Sequence, residues 1–93
     1  MSEPFKELMT VLQGRKANPS PDSYTAQLLA AGEDEIVKKI GEEAIEIILA
    51  AKGQGNERLL EETADLIYHL SVLLVARNLT WSDVTQVLGQ RVG

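Results

Sequence analysis

Two stretches of helical apolar spacing, separated by a four-residue break, restrict this chain more than any other feature. Ile36, Val37, Ile40, Ala44, Ile47, Ile48 and Ala51 recur at intervals that place them on one helical face. Leu59, Thr63, Leu66, Ile67, Leu70, Leu73 and Leu74 do the same further on. Between them stands Gly53-Gln54-Gly55-Asn56, where Gly53 signals a helix end and Asn56 is placed to cap the next helix. So short a connection makes the two helices run antiparallel, side by side. The first is expected from Glu33 or Asp34 to about Lys52, the second from about Glu57 to Arg77. From Leu66 onward the second is apolar nearly all round, as central helices are. In a chain of 93 residues, cover for every side of it is expected from another subunit.

The remaining segments read as helices too. A first helix is expected from Ser2 or Glu3, with Pro4 in its first turn, the stripe Phe5, Leu8, Met9 and Leu12, and an end at Gly14. Arg15 to Pro21 reads as a loop. Ser23 is placed to cap a short helix carrying Tyr24, Leu28 and Leu29, which Gly32 breaks. Thr80-Trp81-Ser82-Asp83 reads as a capping box opening a last helix, with Val84, Val87 and Leu88 facing inward. No strand alternation or repeat is present. The expected fold is all-α: a single domain over residues 1–93, an antiparallel bundle of four to five helices completed by dimerisation.

Composition removes several function classes. Fourteen acidic against nine basic residues give a net charge of -5, which argues against a nucleic-acid binder with a general basic surface. The absence of cysteine rules out disulfides and zinc–thiolate sites, and the single histidine rules out a multi-histidine metal site within one chain. The run Leu66–Ala76 is too short to span a bilayer. No positive region followed by an apolar core opens the sequence, so a cytoplasmic protein is expected.

The acidic residues are concentrated on the paired helices. Glu42 and Glu46, Glu43 and Glu46, and Glu62 and Asp65 lie three or four residues apart and share faces. Antiparallel packing brings these pairs face to face, where carboxylates repel unless cations lie among them. Oxygen ligands in that number suit a hard divalent ion, Mg²⁺ first. The simpler alternative is two solvated helix faces. Against it, Glu43 lies at the border of its apolar stripe, flanked by Lys39 and Glu46, and Glu62, Asp65 and His69 share the matching flank of the next helix. A Mg²⁺ site handling a phosphate chain follows as the working expectation, with Lys39 and Arg77 as candidates for phosphate oxygens that the metal does not meet, although Arg77, near a helix end, is individually more often a surface residue. Lys38 reads as a partner for acids one turn away. His69 is expected as a hydrogen-bonded interior histidine, and Tyr24 either packs or stacks on a base. Gly41 is odd inside a helix and permits close approach of another helix or a ligand. A di-iron bundle is excluded, because Leu66 stands where a Glu-x-x-His pair needs its glutamate.

The pattern Glu42-Glu43-x-x-Glu46, followed after fifteen residues by Glu62-x-x-Asp65, resembles the EExxE…ExxD signature of the all-α nucleoside triphosphate pyrophosphohydrolases. Ser23-Tyr24-Thr25, Leu28-Leu29, Gly32, Lys39, Gly41 to Ala44, Ala50-Ala51-Lys52, Ala64-Asp65-Leu66, Tyr68-His69-Leu70, Ala76 to Leu79 and Asp83-Val84 narrow the resemblance to the phosphoribosyl-ATP pyrophosphohydrolase family over nearly the whole chain. The resemblance implies Mg²⁺-dependent hydrolysis of 1-(5-phosphoribosyl)-ATP to 1-(5-phosphoribosyl)-AMP and pyrophosphate, the second step of histidine biosynthesis, by a cytoplasmic homodimer. Carried over, it implies Glu43, Glu46, Glu62 and Asp65 as metal ligands, with Glu42 as a further ligand or a holder of water. Glu42 or Glu46 would accept the proton of the attacking water, and the sequence does not choose between them. Some relatives carry a fused cyclohydrolase; here the hydrolase alone is expected. The rival expectations are a house-cleaning pyrophosphatase of the same superfamily and a non-enzymatic helical dimerisation module.

Overall fold

A computed structural model describes residues 3–93 as five helices: α1 Glu3–Ala17, α2 Tyr24–Ala31, α3 Glu33–Gly53, α4 Gly55–Ala76 and α5 Trp81–Val92. The described residues contain no strand, so the all-α expectation holds. Ser2, one of the two expected starts of α1, lies outside them. None of the helices is long and apolar enough to cross a membrane.

Local hydrogen bonds set most boundaries. Ser23 Oγ accepts from the Ala26 N–H at 3.1 Å and opens α2. Gly32 (φ 101°) then separates α2 from α3 in a backbone conformation that strains any side chain. At α5, Asp83 N–H donates to Thr80 Oγ1 at 3.3 Å and Thr80 N–H to Asp83 Oδ2 at 2.8 Å, the expected capping box.

Two boundaries differ from expectation. α1 continues through Gly14 to Ala17, because its last turn is tied across the bundle. Lys16 Nζ donates to the Val75 carbonyl (3.0 Å), the Ala76 carbonyl (3.3 Å) and Asn78 Oδ1 (2.8 Å). The bond to Ala76 gives the last carbonyl of α4 a partner, and the three together offset the roughly 1 kcal/mol that a helical glycine costs. Asn56 is not a cap. Gly55 (φ 87°) reverses the chain directly after Gln54, so α4 starts before Asn56 is reached.

α4 runs through the centre of the molecule, against α3 along its length and against α1 and α2. The core joins Met9 and Leu12 of α1, Leu28 of α2, Ile36 of α3, and Val72 and Val75 of α4. Trp81 closes one end: its ring meets Phe5 edge-on at 5.5 Å, and its Nε1–H donates to buried Ser71 Oγ at 2.8 Å. Leu12 is 1% exposed, and Leu12→Ala should cost about 2–5 kcal/mol. Urea melts should show a lower midpoint with an unchanged m-value.

One apolar expectation fails within the single chain. No residue of α5 is buried: Val84 is half-buried, while Val87 and Leu88 are 46% and 52% exposed. Trp81 anchors the start of the helix, and from there α5 leaves the core rather than folding over it. α3 also splits its apolar residues. Ile36 is buried, but Val37, Ile45, Ile48 and Leu49 are between 45% and 59% exposed.

Candidate metal centre

The antiparallel α3–α4 pair brings carboxylates together as the spacing requires. Carboxylate oxygens of Glu43, Glu62 and Asp65 lie within 4.8 Å of one another. Glu62 is buried, Glu43 half-buried and Asp65 exposed, so the cluster opens from the α3–α4 seam to solvent. The groove above it is lined by Glu42, Glu43, Ile45, Glu46, Glu62 and Asp65. Of the four expected ligands, three converge, and Glu46 lines the same groove outside the compact set. Glu42 also lines it and reaches back to Lys39 at 3.6 Å. Arg77 is not among these acids. It sits at the far end of α4, about 18 Å from Asp65 along the helix at 1.5 Å per residue. There its Nη2–H donates to Glu33 Oε2 at 2.9 Å.

The electrostatics of the groove favour a cation. Partial burial pushes the Glu43 carboxyl above the usual range, and the adjoining Glu62 and the charge of Asp65 raise it further. Ligand oxygens around Mg²⁺, with bonds of roughly 2.0–2.1 Å, are at most about 4.2 Å apart, so a cluster within 4.8 Å lies close to that reach. All the donors are hard carboxylates, so the residues fit that ion.

This raised value has a consequence for stability. A carboxyl that holds its proton more tightly folded than unfolded contributes fully below its unfolded pKa, near ~4.3. That contribution is lost as pH rises through the folded value. In chelator at pH 7–8, Glu43→Gln should therefore melt above the parent, and the gap should close towards pH 4. Solvent screening at this half-buried position limits the gain to about 1 kcal/mol, or ~4–8 °C in a domain of this size. Thermal melts across pH read it directly.

A hydrogen-bonded aromatic cluster supports the α4 side of the groove. His69 is buried, and its Nδ1–H donates to the Asp65 carbonyl at 2.8 Å. In the neutral ring, Nε2 then accepts from the Tyr24 hydroxyl at 3.2 Å. Tyr24 stacks on Tyr68 with centroids 6.2 Å apart, and the Tyr68 hydroxyl bonds Thr25 Oγ1. His69 is thus the satisfied interior histidine that was expected, and it ties α2 to the α4 turn that carries Asp65. Desolvation raises the Tyr24 hydroxyl pKa, with Lys39 opposing. The pairing of Thr25 with Tyr68 leaves no sequence signal, because its partners are 43 positions apart. Arg58, which bonds Glu61 at 3.1 Å and also Glu62, escaped the sequence reading although its i, i+4 spacing to Glu62 was available.

The chain matches the family model described as phosphoribosyl-ATP pyrophosphohydrolase over residues 5–92. The phosphoribosyl-ATP pyrophosphatase of Limosilactobacillus fermentum is 49% identical over 96% of this chain and 84% of its own length. That of Lactiplantibacillus plantarum is 47% identical over the same shares. That of Bacillus cereus is 43% identical over 100% of this chain and 87% of its own. With its acidic motif folded into one groove and this likeness running end to end, the chain belongs to the phosphoribosyl-ATP pyrophosphohydrolase family.

Proposed function

We propose that this chain hydrolyses 1-(5-phosphoribosyl)-ATP to 1-(5-phosphoribosyl)-AMP and pyrophosphate, the second step of histidine biosynthesis, as a Mg²⁺-dependent cytoplasmic homodimer. The observation that carries the reading is the meeting of Glu43, Glu62 and Asp65 within 4.8 Å. It occurs in a chain 43–49% identical to proteins named for that substrate.

Glu43, Glu62 and Asp65 would hold the cation, with Glu46 beside them in the groove. Bound there, Mg²⁺ would neutralise phosphate charge and stabilise the charge growing on the leaving pyrophosphate. Glu42 and Glu46 line the groove, the first exposed and the second half-buried. From there either carboxylate can orient water towards the α-phosphorus and take its proton. Lys39, half-buried and paired with Glu42, is within one helical turn of the acids and is assigned to phosphate oxygens. Arg77 serves the substrate only from elsewhere, since its own chain keeps it at the distant end of α4.

The dimer is supported by what α3 leaves uncovered. At 100° per residue, Val37, Gly41, Ile45 and Ile48 fall within about 80° of one another, on the side of α3 away from its buried Ile36. A Cβ at Gly41 would meet nothing within 4 Å in its own chain. Gly41 therefore has no packing duty inside the protomer, and its close-approach role is assigned to a partner helix. Gly41→Ala separates the two effects. It should favour the isolated helix by about 1 kcal/mol, yet weaken self-association in sedimentation experiments. Unchanged association would remove Gly41 from the interface.

The deciding experiment is pyrophosphate release measured over a substrate panel. Phosphoribosyl-ATP should be turned over with Mg²⁺ and not with chelator, and ordinary nucleoside triphosphates should react far more slowly. Preference for the ordinary triphosphates would instead mark a house-cleaning enzyme. Absence of saturable Mg²⁺ binding would leave only a helical association module.

A further inference from the structure

One carboxylate of the groove already has a cationic partner of its own. Arg58 stands one turn before Glu62 on α4. At 100° per residue, Arg58, Glu62, Asp65 and His69 share an arc of about 60°. The Arg58 guanidinium donates through Nη1 to Glu61 Oε1 at 3.1 Å and through Nη2 to Glu62 Oε1. The Glu62 side chain is 8% exposed and that of Arg58 is 46% exposed. A carboxylate largely removed from water is thus neutralised by an arginine that is itself half in solvent.

The pair is unlike the other arginine pair among the described residues. Arg77 meets Glu33 as a two-pronged fork across separate helices, which joins parts of the fold. Arg58 meets only residues of its own helix, and such within-helix pairs add little to stability. Its value lies in charge instead. Glu62 is one of the three acids whose oxygens converge, so a metal and Arg58 compete for the same carboxylate. A guanidinium carries five N–H donors, and these two contacts leave several for a further anion. Planar paired donors suit phosphate oxygens.

We propose that Arg58 is a phosphate-binding residue held in reserve. It pairs with Glu61 and Glu62 while the groove lacks a metal, and it turns to the substrate's phosphate chain when a divalent cation takes Glu62. The proposal rests on the metal- and phosphate-binding reading of the groove given above. Two cations on one carboxylate repel each other, and an incoming phosphate chain relieves that repulsion by drawing on both. Arg58 therefore opposes metal binding in the empty groove and favours phosphate binding in the loaded one.

The test uses the full chain and its Arg58→Gln and Arg58→Lys variants, with two probes. Mn²⁺ alone is titrated and followed by the electron paramagnetic resonance of the free ion. Inorganic pyrophosphate is then bound at saturating Mg²⁺ by equilibrium dialysis. Arg58→Gln should bind Mn²⁺ about 3–10-fold more tightly, because a competing charge is gone. It should bind pyrophosphate about 10-fold or more weakly, because a charge-assisted donor is gone. Arg58→Lys, which keeps the charge, should lie between the parent and Arg58→Gln on both. These opposed shifts are what a residue that merely props up Glu62 does not produce: loss of such a prop weakens both. Weakening of both, or no change in either, overturns the proposal while leaving the groove assignment standing. Failure of the folded parent to bind Mn²⁺ saturably overturns the groove assignment and the proposal together.

Discussion

Asp65→Asn should lower pyrophosphate release from phosphoribosyl-ATP by about a thousandfold at saturating Mg²⁺ and substrate, with helix content by circular dichroism unchanged. The size follows from what the change removes. A metal that clamps a phosphate chain stabilises the transition state by several kcal/mol, and each 1.36 kcal/mol is tenfold in rate. The fold is spared because Asp65 is exposed and its amide keeps the same shape. The backbone carbonyl of Asp65, which His69 uses at 2.8 Å, is untouched by the substitution. Glu62→Gln should lose as much activity, since Glu62 is another of the three converging carboxylates. Full activity in Asp65→Asn would remove the metal assignment, whatever the helix content.

The second large effect concerns assembly. Ile48→Asp should convert a species of twice the 10.2 kDa chain mass into one of single mass at micromolar concentration by sedimentation equilibrium. Ile48 is 57% exposed in the single chain, so a carboxylate there costs the isolated protomer little. In an apolar interface the same carboxylate is desolvated without a partner, at a cost of several kcal/mol, or about a thousandfold or more in dissociation constant. The acidic groove borders this surface, since Ile45 lies in both. Activity should therefore fall with dissociation and return as protein concentration rises. A double-mass Ile48→Asp, or a single-mass parent, would remove this surface from any dimer.

The division between legible and illegible features follows the range of the interactions involved. Helix starts at Ser23 and Thr80 were readable because their caps bond within three residues. The border position of Glu43 was readable because a helix rotates by a fixed angle per residue. Gly14 misled because the bonds that carry α1 past it come from Lys16 to α4, 59 to 62 positions away. Asn56 misled because Gly55 offered a sharper turn one residue earlier. The pairing of Arg77 with Glu33 was not legible because its partners are 44 positions apart.

The amino-acid order alone determined the all-α class, the antiparallel pairing of its two long helices and the flank on which their acids lie. Periodicity and caps are local, and local geometry is written residue by residue. Only the folded arrangement decided that Glu43, Glu62 and Asp65 converge while Glu46 stands beside them, that Arg77 pairs with Glu33, and that α5 leaves the core. Those outcomes depend on which side chains meet across helices and on which surface a small core can cover, and neither is specified by neighbours in the chain.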